Sequence, residues 1–554
     1  MSFFRTPEFT NDIEGILENE FFETQANFPL EAPLLFEEPV KVLDAQILPS
    51  THSALLSPYR EPTGDDSWLE TIIGASKQQD NEVQSLRDLT NGAPNYHNAA
   101  PRALNDYTSL LVEYYFKEVC GMMSCYDSQL NPYRTTISNQ WSGSQALYYT
   151  TQSMAAACLS EVSPNLASVG RQLQNHAVQC VVQELRGSEM DTSSLLAVVM
   201  LGMSRSWHDP ADVGQGEFEM LAKSVLSSGI GHGTESGAER QKQLFFCNSL
   251  VYWQMLLSFV HDQEPKADLK RHAQRQPARP NEVELRKLCM PHPQTGIGIE
   301  VQTLVAEVGS LVRRERKRIH SRGFTSRSDI DEAKRAINHA EDLHSQLCKI
   351  KLPTENSIAD AGDNMTPGQH LLKVAEAYRC TGLLQLYRNF PDLLSPYLPT
   401  EQPECREGSF SVESDVPALR DSWLASLAIH ILDLIQDIPE SSRSRSIQPL
   451  LLVSVCSDLA LGSTHCALAE PINALVESIS CSPRFSAQVT DLDVLRGRRF
   501  ILSRLSSFEN ILAAKPIRTM ISLVKETWLR MEATQDNVYW MDVMMENGFE
   551  TLMG

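Results

Sequence analysis

The chain has 554 residues and a formal charge of −22, with hydrophobic residues at 42% and charged residues at 21%. That composition suffices for a real core, and the length suits several domains or one large helical body. The excess of acid excludes the molecule as a whole from polyanion binding, because phosphate contacts need Lys and Arg gathered on one face.

The first residues, MSFFRTPEFTNDIEGILENE, place acids where a secretory signal needs an apolar core. No run of 18 or more apolar residues occurs, so no membrane association is expected. Twelve scattered cysteines read as reduced, mostly buried thiols of a cytosolic or nuclear protein.

Residues 1–100 hold 17 acidic and 5 basic side chains, and seven phenylalanines fall within the first 36 positions. Acids interleaved with aromatics describe a disordered segment in which charge keeps the aromatics solvated until a partner groove takes them. The partner-binding candidates are Phe3, Phe4, Phe9, Ile13, Ile16, Leu17, Phe21 and Phe22, several of which share one side of a nascent helix. The alternative is that these side chains dock on the protein's own body. Residues 50–100 read as a linker with one short helix near Trp68–Ala75.

The boundary falls near residue 100, and 101–554 is helical in pattern throughout. Leu104, Tyr107, Leu111, Tyr114, Tyr115 and Val119 are three or four apart and make one apolar, aromatic helix face. The helix stops at Gly121, and an irregular piece leads to Asn131-Pro132, where the proline ends or bends what precedes it. Further helices are predicted over Ser144–Leu159, Leu166–Leu185, Leu195–Met203, Gly214–Leu226 and Gln241–Val260. Residues 262–298, with five prolines, read as a long surface loop. Helices resume over Val301–His320, Ile330–Leu352, Gln369–Tyr387, Ser422–Gln436, Ile447–Leu461, Leu495–Ala514 and Ile517–Met531. No sustained alternation of period two and no fixed repeat appear, so the fold class is all-α without a regular solenoid.

Several motifs bear on chemistry. Cysteine spacing offers no short pairs of the zinc type; Cys120 and Cys125 flank a helix end and read as buried thiols. His208-Asp209 and His261-Asp262 each end an apolar helix and could meet as a metal or acid–base pair, although His and Asp are ordinary there. Gly229–Gly237 is glycine-rich but lacks a phosphate-binding Lys-Ser/Thr, and reads as a turn. Asn105, Asp106, Ser109 and Glu113 match a magnesium-binding spacing of terpenoid synthases, yet the facing carboxylate cluster such a site needs is missing upstream. The basic run Arg313, Arg314, Arg316, Lys317 and Arg318 is a nuclear import candidate; a solvated helix end is the other reading.

The segments LLVEYYFKEVC (110–120), Ser124, Asp127, Asn131-Pro132-Tyr133-Arg134, QSMAAACL (152–159) and LLAVVMLGMSRSWHDPADVG (195–214) resemble the helical regulatory region of fungal zinc-cluster transcription factors, in its second sequence type. The likeness continues through YRCTGLLQLYRNFPDLL (378–394), WLASLAIHILDLIQDIP (423–439) and the ending from Arg496, and covers about 101–554. It implies an all-α fold, a nuclear location and regulation of transcription, often of metabolic or biosynthetic genes. It also implies partners in the transcription machinery, or a DNA-binding partner protein, and a possible small-molecule effector.

Such factors begin with a six-cysteine binuclear zinc cluster, whereas the first cysteine here is Cys120. No cofactor is therefore expected in this chain, zinc entering only through a cluster encoded upstream, and direct DNA binding is not expected of it. Two other function classes stay open: a magnesium-dependent terpenoid-type enzyme and a non-catalytic cytosolic helical scaffold.

Overall fold

The computed structural model describes residues 107–184, 191–227, 237–275, 289–397, 415–462, 489–534 and 538–554. The phenylalanine-rich opening, the Trp68–Ala75 segment, Asn105, Asp106 and residues 229–236 of the glycine-rich turn lie outside them. The described residues form seventeen α-helices and no strand; pairing of the β type is limited to isolated bridges, Cys289 with Ile358 and His292 with Gly296. The all-α reading holds.

The chain opens with α1 (Tyr107–Lys117), whose buried side chains Leu111 and Tyr115 are four apart, as a helix lying on a core requires. A 3-10 turn at Val119–Gly121 leads to α2 (Pro132–Gln140). Next come α3 (Gln145–Leu159), α4 (Leu166–Glu184), α5 (Thr192–Met203) and the single turn α6 (Arg205–His208). Ser144 caps α3 by accepting from the Leu147 amide, and Asp191 caps α5 by accepting from Ser194. Helices α1, α3, α4 and α5 pack on one another as a first layer.

The second layer is a stack. It contains α7 (Gln215–Ser227), α8 (Gly237–Val260), α9 (Ala267–Arg275), α10 (Ile299–Ser321), α11 (Arg327–Lys349), α12 (Gly368–Asn389) and α13 (Asp415–Gln436). Here α8 lies against α10, α10 against α12, and α12 against α13. Lys242–Val260 of α8 has the length and apolarity of a membrane span, but 83% of it is buried inside the body. It is apolar all round because it is surrounded by protein. Trp253, Trp423 and Trp540 are among the largest fully buried side chains. Each removes roughly 150–250 Å² from water, an upper bound of about 4–6 kcal/mol at about 25 cal/mol per Å².

The C-terminal part adds α14 (Pro449–Ser454), α15 (Asp491–Glu509), α16 (Ala514–Thr534) and α17 (Trp540–Asn547). Capping boxes open α11 (Ser326 with Asp329) and α15 (Thr490 with Asp493). Helix α16 reaches back to α6, so the end of the chain closes on the first layer. The last residues continue inward: Thr551, Leu552 and Met553 are buried, and the Leu450 amide donates to the Met553 carbonyl at 3.0 Å.

One expectation is extended and two are corrected. Pro132 starts a helix instead of only ending one, because Asn131 supplies the cap and the missing proline N–H is an orphan at that position anyway. The predicted loop 262–298 contains α9, anchored by the fully buried Leu269 and by Lys270, which pairs with Glu307 at 2.8 Å, while Asp268 and Arg271 are exposed. The predicted helix Ile447–Leu461 is instead α14 between 3-10 turns at Arg443–Ile447 and Cys456–Asp458. It starts at Pro449, and its early amide at Leu450 bonds the C-terminal segment instead of a preceding turn.

Candidate functional site

The irregular piece after α1 is held by side chains that satisfy its unpaired backbone. Arg134 donates from Nε to Asp127 Oδ1 at 2.8 Å, from Nη2 to Oδ2 at 2.5 Å, and from Nη1 to the Phe116 carbonyl at 2.6 Å. Asn131 Nδ2 donates to the Cys120 carbonyl at 3.1 Å, and the Tyr115 hydroxyl donates to the Tyr133 carbonyl at 2.8 Å. Burial alone would raise the Asp127 carboxyl, but the hydrogen bonds from Arg134 and Asn131 hold it below its ordinary value.

Distant parts of the chain converge on this knot. The Asp127 amide donates to Asp363 Oδ2 at 2.9 Å, the Ser128 hydroxyl to the Ala361 carbonyl at 2.5 Å, and the Cys125 amide to the Pro293 carbonyl at 2.6 Å. His292 accepts at Nδ1 from the Gln294 and Thr295 amides, so Nε2 carries the proton and donates to the Phe245 carbonyl at 3.2 Å. Burial pushes His292 down to about 3. Cys120 and Cys125 are buried here with their thiols on backbone carbonyls, and burial pushes both up to about 12. Neither thiol is poised as a thiolate, so the knot is built to hold four chain segments together.

The basic run lies on the last turns of α10, and all five cations are engaged. Arg313 donates to Asp262 at 2.9 Å and to the Phe259 carbonyl at 3.1 Å, and it lies 3.6 Å from Glu550. Arg314 reaches Glu264 at 2.7 Å, Lys317 pairs with Asp262, and Arg318 grips Glu315 through two bonds at 2.9 and 2.5 Å. Arg316 pairs with Asp542 through both oxygens and lies over the Tyr539 ring at 5.3 Å. Burial would raise Asp262, but Lys317 and Arg313 bring it below its ordinary value. The run thus fastens α10 to the α8–α9 connection and to the C-terminal helix.

The two His-Asp pairs find different partners. His208 Nε2 lies 2.9 Å from Ser153 Oγ, whose own proton goes to the Gly170 carbonyl at 2.9 Å. Nε2 is therefore the donor, the opposite of what a general base on a serine requires. Burial first, then Lys515, Arg205 and Arg171, push His208 down to about 4. Asp262, as described, serves the basic run.

Ser109 and Glu113 are exposed on α1. Among the described residues, no group of three or more His, Cys, Asp and Glu side chains is placed to hold a metal ion. An open polar cleft of about 600 Å³ lies between the start of α3 and the start of α5, lined by Gln140, Ser144, Glu184, Asp191 and Ser193. Its acids have partners within the protein: Asp191 accepts from the Ser194 amide at 2.7 Å, and the single Ser194 hydroxyl proton lies between Glu184 and Asp191.

The stretch Leu195–Gly214 owes its pattern to a close crossing. Gly214 has φ +69°, and a Cβ there would fall 2.3 Å from the Gly202 carbonyl; a Cβ on Gly202 would fall 1.9 Å from the Trp253 ring. The residues that carry the family likeness at 120–134 and 195–214 therefore hold the body together. Sequence reasoning missed the role of the basic run because its acidic partners are remote in the chain.

The family model described as fungal specific transcription factor domain matches residues 109–554. No curated protein and no solved structure matches the chain.

Proposed function

The chain belongs to the fungal specific transcription factor domain family, and from that membership we propose that it is a nuclear regulator of metabolic or biosynthetic genes and not an enzyme. The observation that carries this reading is the match itself, which runs from α1 to the last residue. The body of helices acts as a platform that receives a partner or a small-molecule effector, and the effector works by binding one arrangement of the helices better than another. Contact with the transcription machinery, or with a DNA-binding partner, falls to the acidic segment and its Phe3, Phe4, Phe9, Ile13, Ile16, Leu17, Phe21 and Phe22.

Import through Arg313, Arg314, Arg316, Lys317 and Arg318 belongs to this proposal with a condition. A receptor competes with Asp262, Glu264, Asp542 and Glu550 for the same cations, so the run serves only in a state where both the C-terminal segment and the α8–α9 connection have let go of α10. The experiment is to tag the protein, follow it by nuclear fractionation and sequence the transcripts of a deletion strain. A nuclear pool and a coherent set of altered metabolic transcripts are expected. Exclusion from nuclei under every growth condition, with an unchanged transcriptome, would end the reading.

A further inference from the structure

Helices α10 and α11 are joined at an apex that stands clear of the body. Residues 319–328 are exposed throughout, Phe324 is 91% exposed, and a Cβ built on Gly323 would meet nothing within 4 Å. The connection itself, Arg322 to Ser326, is not helical. Arg322 (φ −75°, ψ 112°) and Ser326 (φ −105°, ψ 165°) are both extended.

We propose that Thr325 at this apex is a phosphorylation site for an arginine-directed protein kinase. Such kinases bind an extended substrate segment and read an arginine three residues before the acceptor through carboxylates in their own cleft. Arg322 occupies that place relative to Thr325, and the segment from Arg322 to Ser326 is open, extended at both ends and bent at Gly323–Phe324, where the glycine lets the backbone straighten into a kinase cleft.

The neighbouring hydroxyls are poorer acceptors. Ser321 is the last residue of α10, its hydroxyl donates to the Arg318 carbonyl at 3.2 Å, and its own upstream arginine, Arg318, is occupied by Glu315. Ser326 is committed to the capping box of α11, donating to Asp329 at 3.0 Å and accepting from its amide at 3.1 Å. Ser328 lies inside α11 and has threonine, not arginine, three residues before it.

In the transfer, Thr325 Oγ1 forms a bond to the γ-phosphorus of ATP and the bond from that phosphorus to the β–γ bridging oxygen breaks. ADP leaves, and the hydroxyl proton passes to the kinase's base. The product dianion finds a partner in place, since Arg322 Nη2 already donates to Thr325 Oγ1. It also sits just before the positive end of α11, a 23-residue helix. Phosphate there, at about −2, cancels the charge of Arg322 and Arg327 at an apex within seven residues of Arg318.

The test incubates the folded full chain with ATP and the catalytic subunit of an arginine-directed Ser/Thr kinase, then maps phosphate by mass spectrometry. Phosphate on Thr325 is expected, lost in Thr325→Ala. Its initial rate should fall roughly tenfold in Arg322→Gln, the loss of about 1.4 kcal/mol of charge-assisted binding. Both side chains are exposed, so both variants should melt with the parent protein. Phosphate confined to other residues, transfer only after heat denaturation, or a Thr325 rate indifferent to Arg322→Gln would each overturn the proposal.

Discussion

Arg316 closes a two-pronged ion pair on Asp542, a residue 226 positions further along the chain. The pair is partly shielded from water and is joined by His320, 3.2 Å from Asp542. Asp542→Asn keeps the shape and removes the charge. It should cost roughly 1–3 kcal/mol, more than an exposed pair and less than a fully buried one. Urea unfolding of Arg316→Gln, Asp542→Asn and the double variant measures the coupling. Strict additivity would mean that the two side chains are neighbours only.

Gly202→Ala tests the crossing of α5 with α8. The added methyl would overlap the Trp253 ring, which is fully buried and has no room to turn. Overpacking of this kind costs about 1–3 kcal/mol or more, so the variant should melt several degrees lower or accumulate as aggregate. Gly216→Ala is the control, because a Cβ at Gly216 meets nothing within 4 Å. Equal melting of the two variants would contradict the packing described.

His208 and His292 make stability depend on mild acid. Both are buried, and their folded values, about 4 and about 3, lie below the ordinary histidine value of 6.5. The unfolded chain therefore binds protons first as the pH falls. The stabilisation is complete above 6.5 and is lost on the way down towards the folded values. In that window each histidine contributes a slope of up to about 1.4 kcal/mol per pH unit. Unfolding free energy measured from pH 7 to pH 5 should fall steeply, and His208→Gln should flatten the curve. A level profile over that range would remove the two neutral histidines from the account.

How much of this was legible depends on how far apart the interacting residues lie. The apolar face of α1 and the Ser144 start of α3 are local, and spacing alone fixes them. Pro132 does end what precedes it, but that it also opens α2 is not legible locally, because proline breaks a helix interior yet begins a helix well, and the deciding residue, Asn131, is also common in turns. The α9 helix hid among prolines because, among its described side chains, Leu269 alone is buried. The five cations of the basic run look free in a one-dimensional reading. Glu315 is the only partner nearby, while Asp262, Asp542 and Glu550 come from other elements. Periodicity reports burial along one helix and is silent on which remote charge meets which.

Gln385, fully buried on α12, ties the end of the chain to the stack. Its Oε1 accepts from the Tyr539 hydroxyl at 2.6 Å and from Trp540 Nε1 at 3.3 Å, while its Nε2 donates to the Ser454 carbonyl at 2.9 Å. Gln385→Leu nearly conserves volume and leaves those three groups without this partner. At about 1–3 kcal/mol for each unsatisfied group, part of it recovered by relaxation, the loss should be roughly 3–5 kcal/mol. The damage should also be local. Hydrogen exchange should quicken across residues 538–554 while the amides of α3 and α4 stay protected, because the C-terminal segment is bonded to α12 at Gln385 and to α14 at Leu450. Once the segment loosens, Arg316 loses Asp542 and Arg313 loses Glu550, so exchange at the end of α10 should rise with it. Uniform quickening over the whole body would instead mean that this tail unfolds only with everything else, and that the basic run cannot be freed alone.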